Sequence, residues 1–182
     1  MSLPDQQVIV EPFDPARHDR AGFFCGVESV DNFFKRTANK LASAGNIRLF
    51  VMTTLDGDLI GFYALNASAI HYADLPAKYA RTRPGHDSIP VAYISMIAVD
   101  RRHAGRGHGG ELLADALRRV AAAAESIGIA LVVLDILDDG NPVLVERRRA
   151  LYQSYGFVPM PTRPLRLFLP VAAIDSRRGA QS

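Results

Sequence analysis

The feature that most restricts how this chain can fold is the junction YISMIAVDRRHAGRGHGGELLADAL, where an apolar run passes through a basic, glycine-rich turn straight into an amphipathic helix. Residues 91–99 are almost continuously apolar, the pattern of a strand buried on both faces. Beyond the turn, Leu112, Leu113, Ala116, Leu117, Val120 and Ala124 recur on one helical face, Asp115, Arg118, Arg119 and Glu125 on the other, and Gly128 ends the helix. The first turn of a helix carries unsatisfied N–H groups and the positive end of the helix dipole. Glycines at 105, 107, 109 and 110 let an anion approach that backbone closely. Arg101, Arg102, His103 and Arg106 add charge-assisted donors for a pyrophosphate or a 3′-phosphate. The bland alternative is a tight turn that needs glycine only for positive φ.

Two other phosphate-binding patterns compete for the same residues. A P-loop needs G-x-x-x-x-G-K-[ST], and the chain contains no Gly-Lys pair, which argues against an NTPase. Gly105, Gly107 and Gly110 do satisfy G-x-G-x-x-G, with Asp135 at the end of the following strand where a ribose partner would stand. That fingerprint opens a long series of parallel βαβ units, for which too little chain follows.

The remaining text organises around this junction. Ser29 is placed to cap a helix whose apolar positions are Val30, Phe33, Phe34, Ala38 and Leu41, stopped by Gly45. Residues 48–54 and 59–66 read as strands joined by Leu55-Asp56-Gly57-Asp58, a hairpin signal. Residues 67–90 carry Pro76, Pro84, Gly85 and Pro90 and read as a long loop with at most one short helix over 76–81. Residues 129–137 read as a second buried strand, 142–154 as a helix with Pro142 near its start, and 165–169 as a last strand. The fold class this implies is α/β in the α+β sense: a mixed, mostly antiparallel twisted sheet covered by helices. One domain over residues 1–175 is expected, with a disordered tail at 176–182.

Composition narrows the function classes. A chain of 182 residues suffices for a domain that removes roughly 70% of its unfolded surface from water. The net charge of +2 is small, and no apolar run approaches the ~20 residues that cross a bilayer. A soluble protein follows. Residues 1–10 show no secretory or transit pattern, so the expected location is cytoplasmic. Cys25 is the only cysteine, and no Cys/His set has zinc-ligand spacing, so neither a disulfide nor a metal is expected. Adjacent Asp138 and Asp139 beside Gly140 read as turn formers.

At the glycine turn the sequence resembles the GNAT superfamily of acyl-CoA N-acyltransferases, whose turn reads Gln/Arg-x-x-Gly-x-Gly/Ala after a strand ending in a Val-Asp-like pair. Gly107 and Gly109 carry the match together with Ala98, Val99 and Asp100. Ala104 then stands where the pattern has Gln or Arg, which moves weight onto the backbone amides of residues 105–110, His108 included, and onto Arg102, His103 or Arg106. The resemblance implies that Ile97, Ala98 and Val99 hold the pantetheine arm of acetyl-CoA through their backbone. A second block, ALYQSYGFVPM, resembles the family's ending through Tyr152, Gly156 and Phe157. It implies that Tyr152 is the acid that protonates the departing thiolate; a packed core tyrosine is the alternative reading. By the same resemblance Asn141 is a cofactor contact. No general base is apparent, since His71, His86, His103 and His108 lack a paired carboxylate in sequence.

The block FFCGVESVDNFFKRTA, the FYAL strand, the IPVAYISMIAVD junction and the PLRLFLP ending are together similar to a GNAT branch that includes toxins of bacterial toxin-antitoxin operons. That likeness implies acetylation of the α-amine of aminoacyl-tRNA and neutralisation by a ribbon-helix-helix antitoxin. Lys35, Arg36 and Lys40, and Arg147, Arg148 and Arg149, would then meet tRNA phosphates; solvated helix faces explain them equally. Met96 departs from the branch, as does the stretch between Asp138 and Arg149, so two readings stay open beside the toxin: a GNAT enzyme acting on a small-molecule or protein amine, and an acyl-CoA-binding module without turnover. A homodimer is the assembly to expect first.

Overall fold

The computed structural model describes residues 6–82 and 87–178. The strands are β1 (Val8–Pro12), β2 (Arg48–Thr54), β3 (Leu59–His71), β4 (Ser88–Val99), β5 (Leu131–Asp135), β6 (Val158–Met160) and β7 (Arg163–Pro170). The helices are α1 (Glu28–Asn32), α2 (Ala38–Ser43), α3 (His108–Ala124), α4 (Pro142–Ser154) and α5 (Val171–Arg178). The strands form a seven-stranded sheet in the order β1-β2-β3-β4-β5-β7-β6. The β1–β2, β2–β3, β5–β7 and β6–β7 ladders are antiparallel, and β4–β5 is parallel. The expected mixed, mostly antiparallel sheet with helices is what the chain forms.

The chain divides into two compact units, each discontinuous in sequence: residues 1–66 with 95–116, and residues 67–94 with 117–182. In the first unit the hairpin pairs Phe50 with Tyr63 and turns at Gly57, whose φ of 93° is the left-handed region that glycine tolerates. Its core is aromatic. Phe34 stacks on Phe62 at 4.0 Å between centroids, and Phe23 meets both edge-on. Gly61 packs so closely that a Cβ there would lie 2.6 Å from the Ala98 carbonyl oxygen and 2.8 Å from a Leu112 methyl. This close approach seats the end of β4 against the first turns of α3. In the second unit Val91, Leu131, Val133 and Phe168 pack with Ile70, Tyr72 and Leu75.

Several boundaries differ from the sequence reading for identifiable reasons. The helix around residue 30 is capped not by Ser29 but begins at Glu28, with Val27 as an N-cap that offers no side-chain acceptor. Asp31, 7% exposed, holds the entry instead by accepting the Cys25 amide at 2.8 Å. Between α1 and α2 the helix widens into a π turn at Phe33–Thr37. The long loop is mostly ordered: β3 runs on to His71, 3₁₀ turns occupy Tyr72–Asp74 and Ala77–Thr82, and β4 begins at Ser88. Strands β1 and β6 and helix α5 were not read. Each is short, and β1 owes its extension to the ladder with β2. Helix α5 reaches Arg178, past the expected end of order, while residues 179–182 and His86 lie outside the described residues.

Candidate active site

The candidate residues fall on both units. In the first unit, β4 ends at Asp100, a carboxylate 1% exposed at the base of the turn. It accepts from the Arg102 amide at 2.9 Å, from Arg102 Nε at 3.0 Å and from the Phe24 amide at 3.1 Å. Burial pushes the Asp100 carboxyl up, but the bonds from the Arg102 side chain and amide and from the Phe24 amide outweigh it and hold it below the ordinary aspartate value. Residues 101–103 form one 3₁₀ turn, and the chain then passes through Gly105 at φ 75° and Gly107 at φ 84° into α3 at His108. A Cβ at either glycine would meet nothing within 4 Å, so the turn is open. Gly109 and Gly110, expected in the turn, are already helical. The two glycines the turn requires are therefore Gly105 and Gly107.

The electrostatics of this turn come from the backbone first. Among the described residues, no protein acceptor reaches the N–H groups of residues 105–109. These amides sit at the positive end of α3, which is the arrangement an anion fills. Desolvation, then the charges of Arg102 and Arg106, hold the His103 imidazole below its ordinary value. His108, 6% exposed, donates from Nδ1 to Glu111 Oε2 at 2.9 Å. The second ring nitrogen of His108 and Nδ1 of His103 are buried without a partner. The row of unused amides fits an anionic ligand such as a phosphate. Ile97, Ala98 and Val99 are only half-buried, where the sequence reading expected full burial. The ladder with β5 covers Val91–Ile94 and stops there, so β4 runs five further residues, 95–99, outside that ladder.

In the second unit, α4 presents Tyr152, 6% exposed, with its ring edge 6.3 Å from Phe157. Burial pushes the Tyr152 hydroxyl up to about 12, with Arg148 opposing. No group among the described residues hydrogen-bonds that hydroxyl. The Asn141 side-chain oxygen caps α4, accepting from the Val143 amide at 3.1 Å and the Leu144 amide at 3.4 Å. Asp138 and Asp139 are turn formers, accepting from the amides of Gly140 and Asn141. Of the basic run on α4, Arg148 is spent on the Leu137 carbonyl and Asp139, and Arg149 on Glu146 and the Pro164 carbonyl. The sequence reading missed Tyr93, whose hydroxyl donates to Asp135 at 2.6 Å while Arg166 grips the same carboxylate through two bonds. Strand alternation placed none of these three; only the β4–β5–β7 register does. No group of metal-ligating side chains gathers among the described residues, and no helix there is long and apolar enough to cross a membrane.

A strand delivering an open glycine turn to a helix N-terminus, within this strand order, is the frame of an anion-binding site. Residues 46–159 match the model of the acetyltransferase (GNAT) domain, and the chain belongs to that family. It is thus an acyltransferase that takes acetyl-CoA as its acyl donor. It is 59% identical over 172 residues to a protein of Sinorhizobium fredii named probable toxin TacT, spanning 94% of this chain and 95% of that protein. It is 38% identical over 151 residues to the tRNA-acetylating toxin of Mycobacterium tuberculosis, spanning 83% of this chain and 85% of that one. Among solved structures it is similar to AtaT complexed with acetyl-methionyl-tRNAfMet, with a TM-score of 0.81, 24% identity and coverage of 94% of this chain and 99% of that chain. That likeness is one of fold.

Proposed function

We propose that this enzyme moves the acetyl group of acetyl-CoA onto the α-amine of aminoacyl-tRNA, and thereby acts as the toxin of a toxin-antitoxin pair. The acceptor rests on one observation above the rest: 83% of the chain is related to a toxin named for acetylating tRNA. The donor rests on the open turn at α3, whose amides and positive-φ glycines suit a pyrophosphate. The φ values fit the family pattern: Gly107, at φ 84°, stands at the position that takes only glycine, and the helical Gly109 at the one that also admits Ala. Ala104 stands where the pattern has Gln or Arg, and Arg102 keeps the turn in shape through Asp100. Residues 97–99 hold the pantetheine arm.

The chemistry is one displacement. The unprotonated amine attacks the thioester carbonyl, the carbon–sulfur bond breaks while the Tyr152 hydroxyl donates a hydrogen bond to the leaving sulfur, and the proton lost from nitrogen passes through water to the thiolate. The same reading includes a single catalytic domain over residues 1–175, a cytoplasmic site of action, a homodimer and a ribbon-helix-helix antitoxin as the neutralising partner. The test is a screen with labelled acetyl-CoA against charged tRNA, uncharged tRNA, peptides and polyamines. Label is expected in charged tRNA alone. Labelling of a peptide or polyamine while charged tRNA stays unlabelled would overturn the acceptor. Expression should arrest growth, with recovery on co-expression of the antitoxin.

A further inference from the structure

Phe24 stands out on the surface of the first unit. Its neighbour Phe23 is buried against Phe34 and Phe62, yet the Phe24 ring is 52% exposed. The exposure is not slack, because the Phe24 backbone is fastened at both ends to the glycine-turn segment. Its amide donates to Asp100, and its carbonyl accepts from the Arg101 amide at 2.9 Å. The Arg101 guanidinium carbon lies 5.1 Å from the centre of the Phe24 ring. The same guanidinium lies against Gly26, at φ 93°, where a Cβ would come within 2.4 Å of Nε and Nη2. Only glycine lets Arg101 occupy that place. Arg101 also differs from Arg102: Arg102 is bonded to Asp100, whereas no carboxylate among the described residues pairs with Arg101.

An exposed aromatic ring and an unneutralised guanidinium, fixed together one turn of chain from the phosphate-binding amides, have the composition of a nucleotide platform. Bases stack on aromatic rings and guanidinium planes, and the charge receives the attached phosphate. We propose that Phe24 and Arg101 form a stacking platform for an adenine that arrives attached to a phosphate. The inference rests on the donor and acceptor proposed above, which bring such a group from two sources: the adenosine of acetyl-CoA and the terminal adenosine of charged tRNA.

The experiment uses the full chain with Phe24→Leu, which keeps bulk but removes the π face, and with Arg101→Gln. Circular dichroism and the melting temperature establish that each variant is folded. Calorimetry gives Kd for acetyl-CoA and for acetyl-4′-phosphopantetheine, which carries the same thioester arm without adenosine; initial rates give KM for charged tRNA. If the platform holds the donor's adenine, Phe24→Leu weakens acetyl-CoA by about tenfold, within the range for loss of a base–aromatic stack, and leaves acetyl-4′-phosphopantetheine unchanged. If it holds the acceptor's adenine, both donors bind as before and KM for charged tRNA rises by a similar factor. The proposal is overturned if all three constants stay within twofold, or if both donors weaken equally, because the residues then act through the shape of the turn. The calorimetric arm needs no acceptor. A wild-type enzyme that ignores charged tRNA therefore sinks the tRNA reading alone, and the two donors still decide the platform.

Discussion

Replacing Tyr152 with Phe removes one oxygen and its proton, and the surroundings of that oxygen set the size of the effect. The residue is 6% exposed and burial pushes its hydroxyl up to about 12, so it keeps its proton at every pH at which the enzyme is handled. A leaving thiolate resembles a cysteine thiolate, with a pKa of about 8.5. Full proton transfer from so weak an acid is then uphill by roughly three and a half pKa units, or about 5 kcal/mol. The hydroxyl therefore helps chiefly as a hydrogen-bond donor to sulfur as charge builds. General acid–base assistance is worth about 10²–10⁴ in rate, and this mismatch puts Tyr152→Phe at the lower end, a fall of about a hundredfold in kcat. No described group bonds the hydroxyl, so its loss orphans no partner, and the melting temperature should move by less than about 2 °C. The assay is label transfer at saturating acetyl-CoA and acceptor, with the acetyl-CoA Kd measured separately and expected unchanged. A raised pKa keeps the acid loaded, so the wild-type rate should show no loss between pH 7 and pH 9 that Tyr152→Phe abolishes. A variant with kcat within twofold of wild type refutes the assignment. So does an alkaline limb near pH 8 that vanishes with the hydroxyl.

Asp100→Asn tests the base of the turn: loss of the charge bonded to Arg102 and the Phe24 amide should cost about 1–3 kcal/mol in denaturant unfolding at pH 7. The carboxyl titrates lower in the folded chain than in the unfolded one, so its contribution is complete above about pH 4 and fades as pH falls through the lowered value. The gap between wild type and Asp100→Asn should accordingly shrink towards pH 3, and a gap that stays constant contradicts the pairing. Asn141→Ala should cost about 1 kcal/mol as a lost helix cap while acetyl-CoA affinity holds, and a weakened Kd at unchanged stability would restore Asn141 as a cofactor contact. Gly107→Ala, at φ 84° but with open space around the new methyl, should cost about 1–2 kcal/mol from backbone strain alone and weaken acetyl-CoA by disordering the amides; equal affinity by calorimetry would show that the turn does not cradle the phosphates.

The parts of the fold that were legible in sequence are those with a local cause. Asp56-Gly57 names its hairpin, the spacing from Leu112 to Val120 names α3, and Pro142 starts α4 where first-turn proline belongs. The parts that were not legible owe their form to partners distant in sequence. The five residues of β1 are extended because Val8–Pro12 pair with Thr54–Phe50. The ordered run 67–82 reads as a loop because Pro76 and the Pro84, Gly85 and Pro90 that follow it conceal that Ile70, Tyr72 and Leu75 have a core to pack against. At the site, residue types located the turn correctly, but four clustered glycines could not say which of them bend the chain. Only backbone dihedrals separate Gly105 and Gly107 from the helical Gly109 and Gly110. An asparagine ahead of Pro-Val-Leu is first of all an N-cap, and Asn141 has that task in the structure.

The basic residues of the turn also divide in a way that composition conceals. Arg102 is bonded to a buried carboxylate, burial holds the His103 imidazole below its ordinary value, Arg101 lies on Gly26 and Phe24, and Arg106 is exposed with no acid partner among the described residues. If charge alone held the phosphates, Arg102→Ala and Arg106→Ala would weaken acetyl-CoA alike. The geometry separates them. Arg102→Ala leaves Asp100 buried without its guanidinium, so it should lower stability by about 1–3 kcal/mol and weaken binding in proportion as the turn loosens. Arg106→Ala should leave the melting temperature within about 1 °C and raise the acetyl-CoA Kd by about threefold, with the effect fading at high salt as an exposed charge contact does. Should Arg106→Ala destabilise the fold while Arg102→Ala does not, the assignment of structural and ligand-facing arginines is reversed. The Asp100 carboxylate would then have to be held by its amide donors alone.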